Sequence, residues 1–213
     1  ADNYISYIAG VYEKGRQTGT GISYRIRNRD GSWTTPVALD LKDFETEDKE
    51  ISNFISNDGR IIIASLQKED GFGEEDLYVA LRDEHGYFGE LINLGPDINT
   101  KFGDITPFLS ADNQTLYFAS ETTTKGFGSS DIYVSKRLDS TWQKWSEPVN
   151  MGHRINTPDW EAYMSVPASG EYIYFVSTND LSGEDADIYR IKLKSREVKP
   201  EAVTMINGRV LDE

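Results

Sequence analysis

The side chains best equipped for chemistry in this sequence are its carboxylates: 36 Asp and Glu stand against 22 Lys and Arg, with only two His and no Cys. Thiolate nucleophiles and thiolate zinc sites are therefore excluded, and His-based triads have little to draw on. His85 falls in a turn, and His153 occupies the slot that Pro96 fills 57 residues earlier, so neither reads as a general base. A glycosidase needs two carboxyl groups roughly 5 to 10 Å apart, but carboxylates are so numerous here that no single pair stands out. The four Trp could stack on sugar rings. Trp33 and Trp145 recur in register and are expected to pack between repeats, whereas Trp160 has no counterpart and is the candidate for surface stacking. No catalytic set is assigned from the sequence.

The net charge of −14 repels phosphate backbones and anionic headgroups, so nucleic acid is not an expected partner. No apolar run approaches the roughly 20 residues that span a bilayer, and residues 1–10 are too polar for the core of a signal peptide. An exported form would have lost its signal. Aromatic content of 12% with few helical runs favours strands, because aromatic and β-branched side chains suit a pleated, half-buried surface.

Internal repetition organises these residues. Asp76-Leu77-Tyr78-Val79 returns as Asp131-Ile132-Tyr133-Val134 and as Asp187-Ile188-Tyr189-Arg190, at steps of 55 and 56 residues, with a weaker copy at Ile22-Ser23-Tyr24-Arg25. Asn93-Leu94-Gly95 recurs as Asn150-Met151-Gly152, and Ile98-Asn99-Thr100 as Ile155-Asn156-Thr157, both 57 residues on. Within one period, turn residues separate four strand signals: 51–56, 60–66, 76–81 and 89–94; then 105–110, 115–120, 131–137 and 146–151; then 162–166, 172–177 and 187–193. Such a module predicts an all-β fold, a β-propeller of four-stranded antiparallel blades with a repeat of about 55 residues. A β-sandwich also has short strands but does not require the same words at the same spacing. The expected division is a partial blade at 1–49 that lacks its innermost strand, blades at 50–104, 105–161 and 162–201, and a tail at 202–213. The ring is expected to be incomplete or truncated.

Up-and-down strands place the loop between the second and third strands at the same end as the link from the fourth strand to the next blade. Those segments are rich in carboxylates, and the residues singled out there are Glu74, Asp76, Asp104, Asp131, Asp159, Trp160, Glu161 and Asp187. An acidic, docking-capable face is one reading and a solubilising surface the other. Asp76, Asp131 and Asp187 each follow a loop and precede a core Tyr; they are expected to accept loop N–H groups as in Asx turns. Calcium is the sharper alternative, although no EF-hand spacing is present.

The phrases Phe108-Leu109-Ser110, Leu116-Tyr117-Phe118-Ala119-Ser120, Gly126-Phe127-Gly128, Asp131-Ile132-Tyr133-Val134, Trp145, Pro148-Val149-Asn150-Met151-Gly152 and Ile155-Asn156-Thr157 resemble the WD-like, TolB-type propeller repeats of Bacteroidetes envelope proteins. The likeness is good over residues 50–193 and weak before them. It departs at the turns, where Ser56-Asn57-Asp58-Gly59 and Ser110-Ala111-Asp112-Asn113 lack the family's Pro. The tail resembles the opening strand of a carboxypeptidase-regulatory-like sandwich, which in that family often precedes an OmpA-like domain. The resemblance implies a periplasmic, outer-membrane-associated scaffold without catalytic activity, with envelope proteins, an outer-membrane protein or a type IX secretion component as partners. The alternative is a carbohydrate-binding or glycan-cleaving propeller of the sialidase-like kind, though the Ser-x-Asp-x-Gly-x-Thr-Trp box is not present.

Overall fold

The computed structural model describes residues 4–44, 46, 51–121, 126–167, 169–179 and 186–193, and among them every regular element is a β-strand. The strands fall into four antiparallel sheets, each made from consecutive segments. The first contains β1 (Ile5–Glu13), β2 (Arg16–Ile26) and β3 (Val37–Ala38). The second contains β4 (Asn53–Ile55), β5 (Ile61–Leu66), β6 (Asp76–Leu81) and β7 (Ile92–Asn93). β8 (Asp104–Leu109), β9 (Thr115–Ser120), β10 (Asp131–Lys136) and β11 (Val149–Asn150) form the third. The fourth has β12 (Glu161–Ser165), β13 (Tyr172–Ser177) and β14 (Asp187–Lys192). The strand expected at 202–211 lies outside the described residues.

Burial explains which segments became central. β5 and β9 are buried at every position, because both faces of their sheets are covered; β13 alternates between partly and fully buried positions. Adjacent sheets stack face to face. Ile22 and Tyr7 of the first pack on Ile62, Ala80 and Phe88 of the second. Ile63, Val79 and Leu94 meet Leu116, Phe118 and Trp145 across the second interface, and Tyr117 and Ile132 meet Met164, Ile173 and Phe175 across the third. Meander sheets stacked in chain order make the arrangement propeller-like.

The turns between the first two strands of the second, third and fourth sheets keep one form without the missing Pro. Gly59, Asn113 and Gly170 occupy the left-handed region at φ of 68°, 55° and 61°, and their N–H groups donate to Ser56, Ser110 and Pro167 carbonyls at 2.8, 2.9 and 2.8 Å. A residue tolerant of positive φ is what this turn demands, and Gly or Asn supplies it.

Two expectations are corrected by the structure. The fourth strands, expected at 89–94 and 146–151, shrink to two residues each. Pro148 removes a ladder N–H before β11, and beyond it the side chains of Asn93 and Asn150 accept the Gly95 and Gly152 N–H groups at 2.8 Å, which turns the chain away. Trp33 does not pack between sheets as Trp145 does. Trp145 is buried; its backbone N–H donates to Asp97 Oδ2 on the preceding link at 3.1 Å and its indole N–H to the Trp142 carbonyl at 2.8 Å. Trp33 stays 37% exposed with the Arg25 guanidinium over its ring at 4.8 Å.

Candidate functional site

The loop ends and the inter-sheet links meet at one end of the stack, as the up-and-down order requires. A Cβ on Gly73 would lie 2.4 Å from the Thr100 carbonyl oxygen and 2.8 Å from that of Phe102, and one on Gly128 would lie 2.3 Å from the carbonyl oxygens of both Thr157 and Asp159. Only Gly permits these approaches of loop to link.

Here the carboxylates divide into two kinds. Asp76, Asp104, Asp131 and Glu161 are buried, whereas Glu74, Asp159 and Asp187 are exposed. Asp76 Oδ2 accepts the Phe72 N–H at 2.5 Å and Asn93 Nδ2 at 3.0 Å; Asp131 Oδ2 accepts the Phe127 N–H at 2.6 Å and Asn150 Nδ2 at 2.8 Å. Each therefore shapes its loop from beneath. Asn99 and Asn156 complete the frame: each amide takes the N–H and gives to the C=O of Leu77 or Ile132, and also donates to Asn93 or Asn150 at 2.8 Å. The recurrence of Ile-Asn-Thr was visible in the sequence, but its role as a latch on the third strand was not.

The carboxylates opening the inner strands differ in reach. Glu161 accepts the Thr157 N–H at 2.7 Å and hydroxyls from Thr157 and Ser177 at 2.6 and 2.7 Å. Asp104 holds the Thr100 N–H at 2.6 Å, and its other oxygen has no partner. Burial pushes the Asp104 carboxyl up to about 7; the nearby Ser120 hydroxyl and Thr100 draw it down only part way, and the Asp76 charge raises it. Burial raises Asp76 as well, and Glu121 is raised by burial and by the charge of Glu74. Among the described residues no three His, Asp or Glu side chains are grouped to hold a metal ion.

Beside the exposed carboxylates, an aromatic pair faces solvent near Asp159. Trp160, half-buried, and Tyr163, 57% exposed, stand with ring centroids 6.0 Å apart at 62°. Backbone bonds in both directions fasten Trp160 to Thr178: its N–H donates to Thr178 Oγ1 at 3.2 Å and its carbonyl accepts the Thr178 N–H at 3.1 Å. Tyr163 sits in a bulge of β12 at φ 54°, matched by Thr106 at φ 50° in β8. Their neighbours form a ladder between inner strands. The Thr106 N–H donates to Ser52 Oγ at 2.8 Å, and the Tyr163 N–H to Thr106 Oγ1 at 3.2 Å. One repeat earlier Trp160 and Tyr163 correspond to Gly103 and Thr106, so both rings are departures from the repeat. Sequence reasoning found Trp160 and missed Tyr163, although the same comparison of repeats would have shown it.

No family model matches the chain, and no curated protein matches it. Solved structures do. It is similar to an α-L-arabinofuranosidase from Lactobacillus brevis at 12% identity, over 92% of this chain and 71% of that one, with a TM-score of 0.49. A thermostable family-43 glycoside hydrolase matches at 12% identity, over 89% of this chain and 74% of that one, with a TM-score of 0.46. A prolyl endopeptidase matches at 14% identity and a TM-score of 0.46, over 93% of this chain; the chain spans 30% of the endopeptidase's length. The expectation that this chain is not an enzyme is corrected by these matches, each of which is to an enzyme. No residue of their active sites is carried over.

Proposed function

We propose that the chain is a run of β-propeller blades that binds carbohydrate as part of a glycan-cleaving protein, with Trp160 and Tyr163 as a shelf for a sugar ring. The observation that carries this reading is the replacement of Gly103 and Thr106, in the repeat before, by two contacting and solvent-reachable rings. Asn99 and Asn156, which latch the third strands, keep their identity between repeats. A fastened Trp beside an exposed Tyr offers an apolar face to a pyranose or furanose at low cost in side-chain entropy. The exposed Asp159 next to Trp160 is free to accept sugar hydroxyls, whereas Glu161 is spent on Thr157 and Ser177.

The ring architecture is supported by the 55-residue period together with the chain-order stacking of meander sheets. A glycan array probed with the wild-type protein and with Trp160→Ala, alongside release of reducing ends from the glycans bound, tests the reading. Binding that disappears in the variant supports it. A silent array with no sugar released contradicts it.

A further inference from the structure

The loops between the second and third strands carry a recurring phrase that neither the core nor the Trp160 shelf accounts for. Gly71-Phe72-Gly73 in the second sheet returns as Gly126-Phe127-Gly128 in the third, 55 residues on. Asp76, Tyr78 and Asn99 recur with it and are buried, as are their copies Asp131, Tyr133 and Asn156. The Phe rings recur and stay outside: Phe72 is 50% exposed and Phe127 52%. Burial explains the first set and leaves the two rings without a reason in the core.

The backbone beneath each ring is fixed. Asp76 Oδ2 accepts the Phe72 N–H at 2.5 Å, and Asp131 Oδ2 the Phe127 N–H at 2.6 Å. The glycine that follows each Phe lies directly on an inter-sheet link, Gly73 on residues 100–102 and Gly128 on residues 157–159. Past Gly128 the contact continues. The Ser129 N–H and hydroxyl both donate to the Asp159 carbonyl, at 2.9 and 3.0 Å, and Ser130 pairs with Trp160 in a parallel bridge. The loop that displays Phe127 and the segment that displays Trp160 are therefore one backbone assembly, and Phe72 is set in the same way one sheet earlier.

We propose that Phe72, Phe127 and Trp160 form a stepped platform for successive rings of one linear, uncharged glycan, an inference that rests on the proposed function and makes the ligand of the shelf a polymer. Stacked sheets stand about 10 Å apart, farther than a single sugar ring reaches, so equivalent rings in neighbouring sheets serve different units of a chain. A repeating ligand is matched by a repeating display, and a fixed loop presents each ring at little cost in entropy. Charge selects among glycans. Glu69, Asp70 and Glu74 are exposed in the loop of Phe72, and Asp159 is exposed beside Trp160, so uronate and sulfate groups are repelled while hydroxyl donors are accepted.

The test is calorimetric titration of linear xylo-, cello- and arabino-oligosaccharides, from disaccharide to octasaccharide, into wild type, Phe72→Ala, Phe127→Ala and Trp160→Ala, with the unfolding temperature of each protein measured alongside. Wild type is expected to bind the octasaccharide of one series about tenfold more tightly than its disaccharide, or better. Phe72→Ala and Phe127→Ala are expected to weaken the octasaccharide about tenfold each and to leave the disaccharide affinity and the unfolding temperature unchanged, whereas Trp160→Ala weakens both lengths. Equal affinity for the two lengths, or an octasaccharide affinity untouched by either Phe variant and abolished by Trp160→Ala, overturns the platform and leaves the shelf standing. A lowered unfolding temperature in both Phe variants assigns the rings to the fold and also overturns it. No binding of any length in any series by wild type overturns the proposed function and the platform together.

Discussion

The backbone N–H of Tyr163 donates to the Thr106 hydroxyl at 3.2 Å, across two sheets whose sequences place these residues 57 apart. The bond fixes the height of the bulge in β12 and so the position of the Tyr163 ring. Replacing Thr106 with Val keeps the shape and removes the acceptor, leaving the amide unpaired. Urea denaturation is expected to show a loss of about 1 to 3 kcal/mol, with glycan affinity falling in parallel.

Asn156 makes three hydrogen bonds while buried, two to Ile132 and one to Asn150. Asn156→Ala is expected to cost about 3 kcal/mol in chemical denaturation, at roughly 1 kcal/mol per bond. Asn156→Asp replaces a donor facing the Ile132 carbonyl and Asn150 Oδ1 with a carboxylate, and is expected to be more destabilising at pH 8 than at pH 4. Equal stability of Asp and Asn variants at pH 8 would contradict the latch.

Gly73 and Gly128 leave no room for a methyl group, since its carbon would fall within 2.8 Å of link backbone. Gly73→Ala and Gly128→Ala are therefore expected to lower the unfolding temperature sharply. Gly19→Ala, where the nearest atom is Val11 Cβ at 3.9 Å, is expected to change it little. Thermal unfolding of the three variants side by side reads the contrast.

Asp104 gives the fold a pH dependence of definite sign. Its carboxyl ionises near the ordinary value of 3.8 in the unfolded chain and at about 7 in the folded one. Below about pH 4 both states are protonated. As pH rises from about 4 to about 7 the unfolded state binds fewer protons than the folded one, so this group's contribution to stability falls, then levels off. Asp104→Asn, which keeps an acceptor for the Thr100 N–H, is expected to remove that slope and to be more stable than wild type at pH 8. Denaturant midpoints at pH 4, 6 and 8 check it; parallel curves for both proteins would contradict it.

The period, the all-β class and the positions of most strands were legible because Leu77, Tyr78 and their copies return at one spacing in short apolar runs bounded by turn residues. The two-residue fourth strands were less so. Their brevity comes from Asn93 and Asn150 side chains competing with the ladder, and such side-chain-to-backbone bonds leave no trace in hydropathy. Asp76 and Asp131 were expected to accept loop N–H groups, and both do, from Phe72 and Phe127; Asp104 and Glu161 read only as part of an acidic face, yet each is drawn inside by an N–H donor four residues earlier in the chain. Trp33 looked like Trp145 because the local phrases are alike, yet Trp145 is buried with its backbone N–H on Asp97 and Trp33 is 37% exposed beneath Arg25, a difference made by neighbours distant in sequence. Tyr163 escaped notice because its left-handed backbone belongs to a bulge shared with Thr106, a conformation that sequence patterns for strands do not anticipate.

Calorimetric titration of one glycan, the strongest binder on the array, into wild type, Trp160→Ala and Tyr163→Ala tests the shelf most directly. Binding by wild type and an affinity at least about tenfold weaker in each variant, a loss of about 1.4 kcal/mol or more, is the expected result. The same affinity in all three proteins would contradict it.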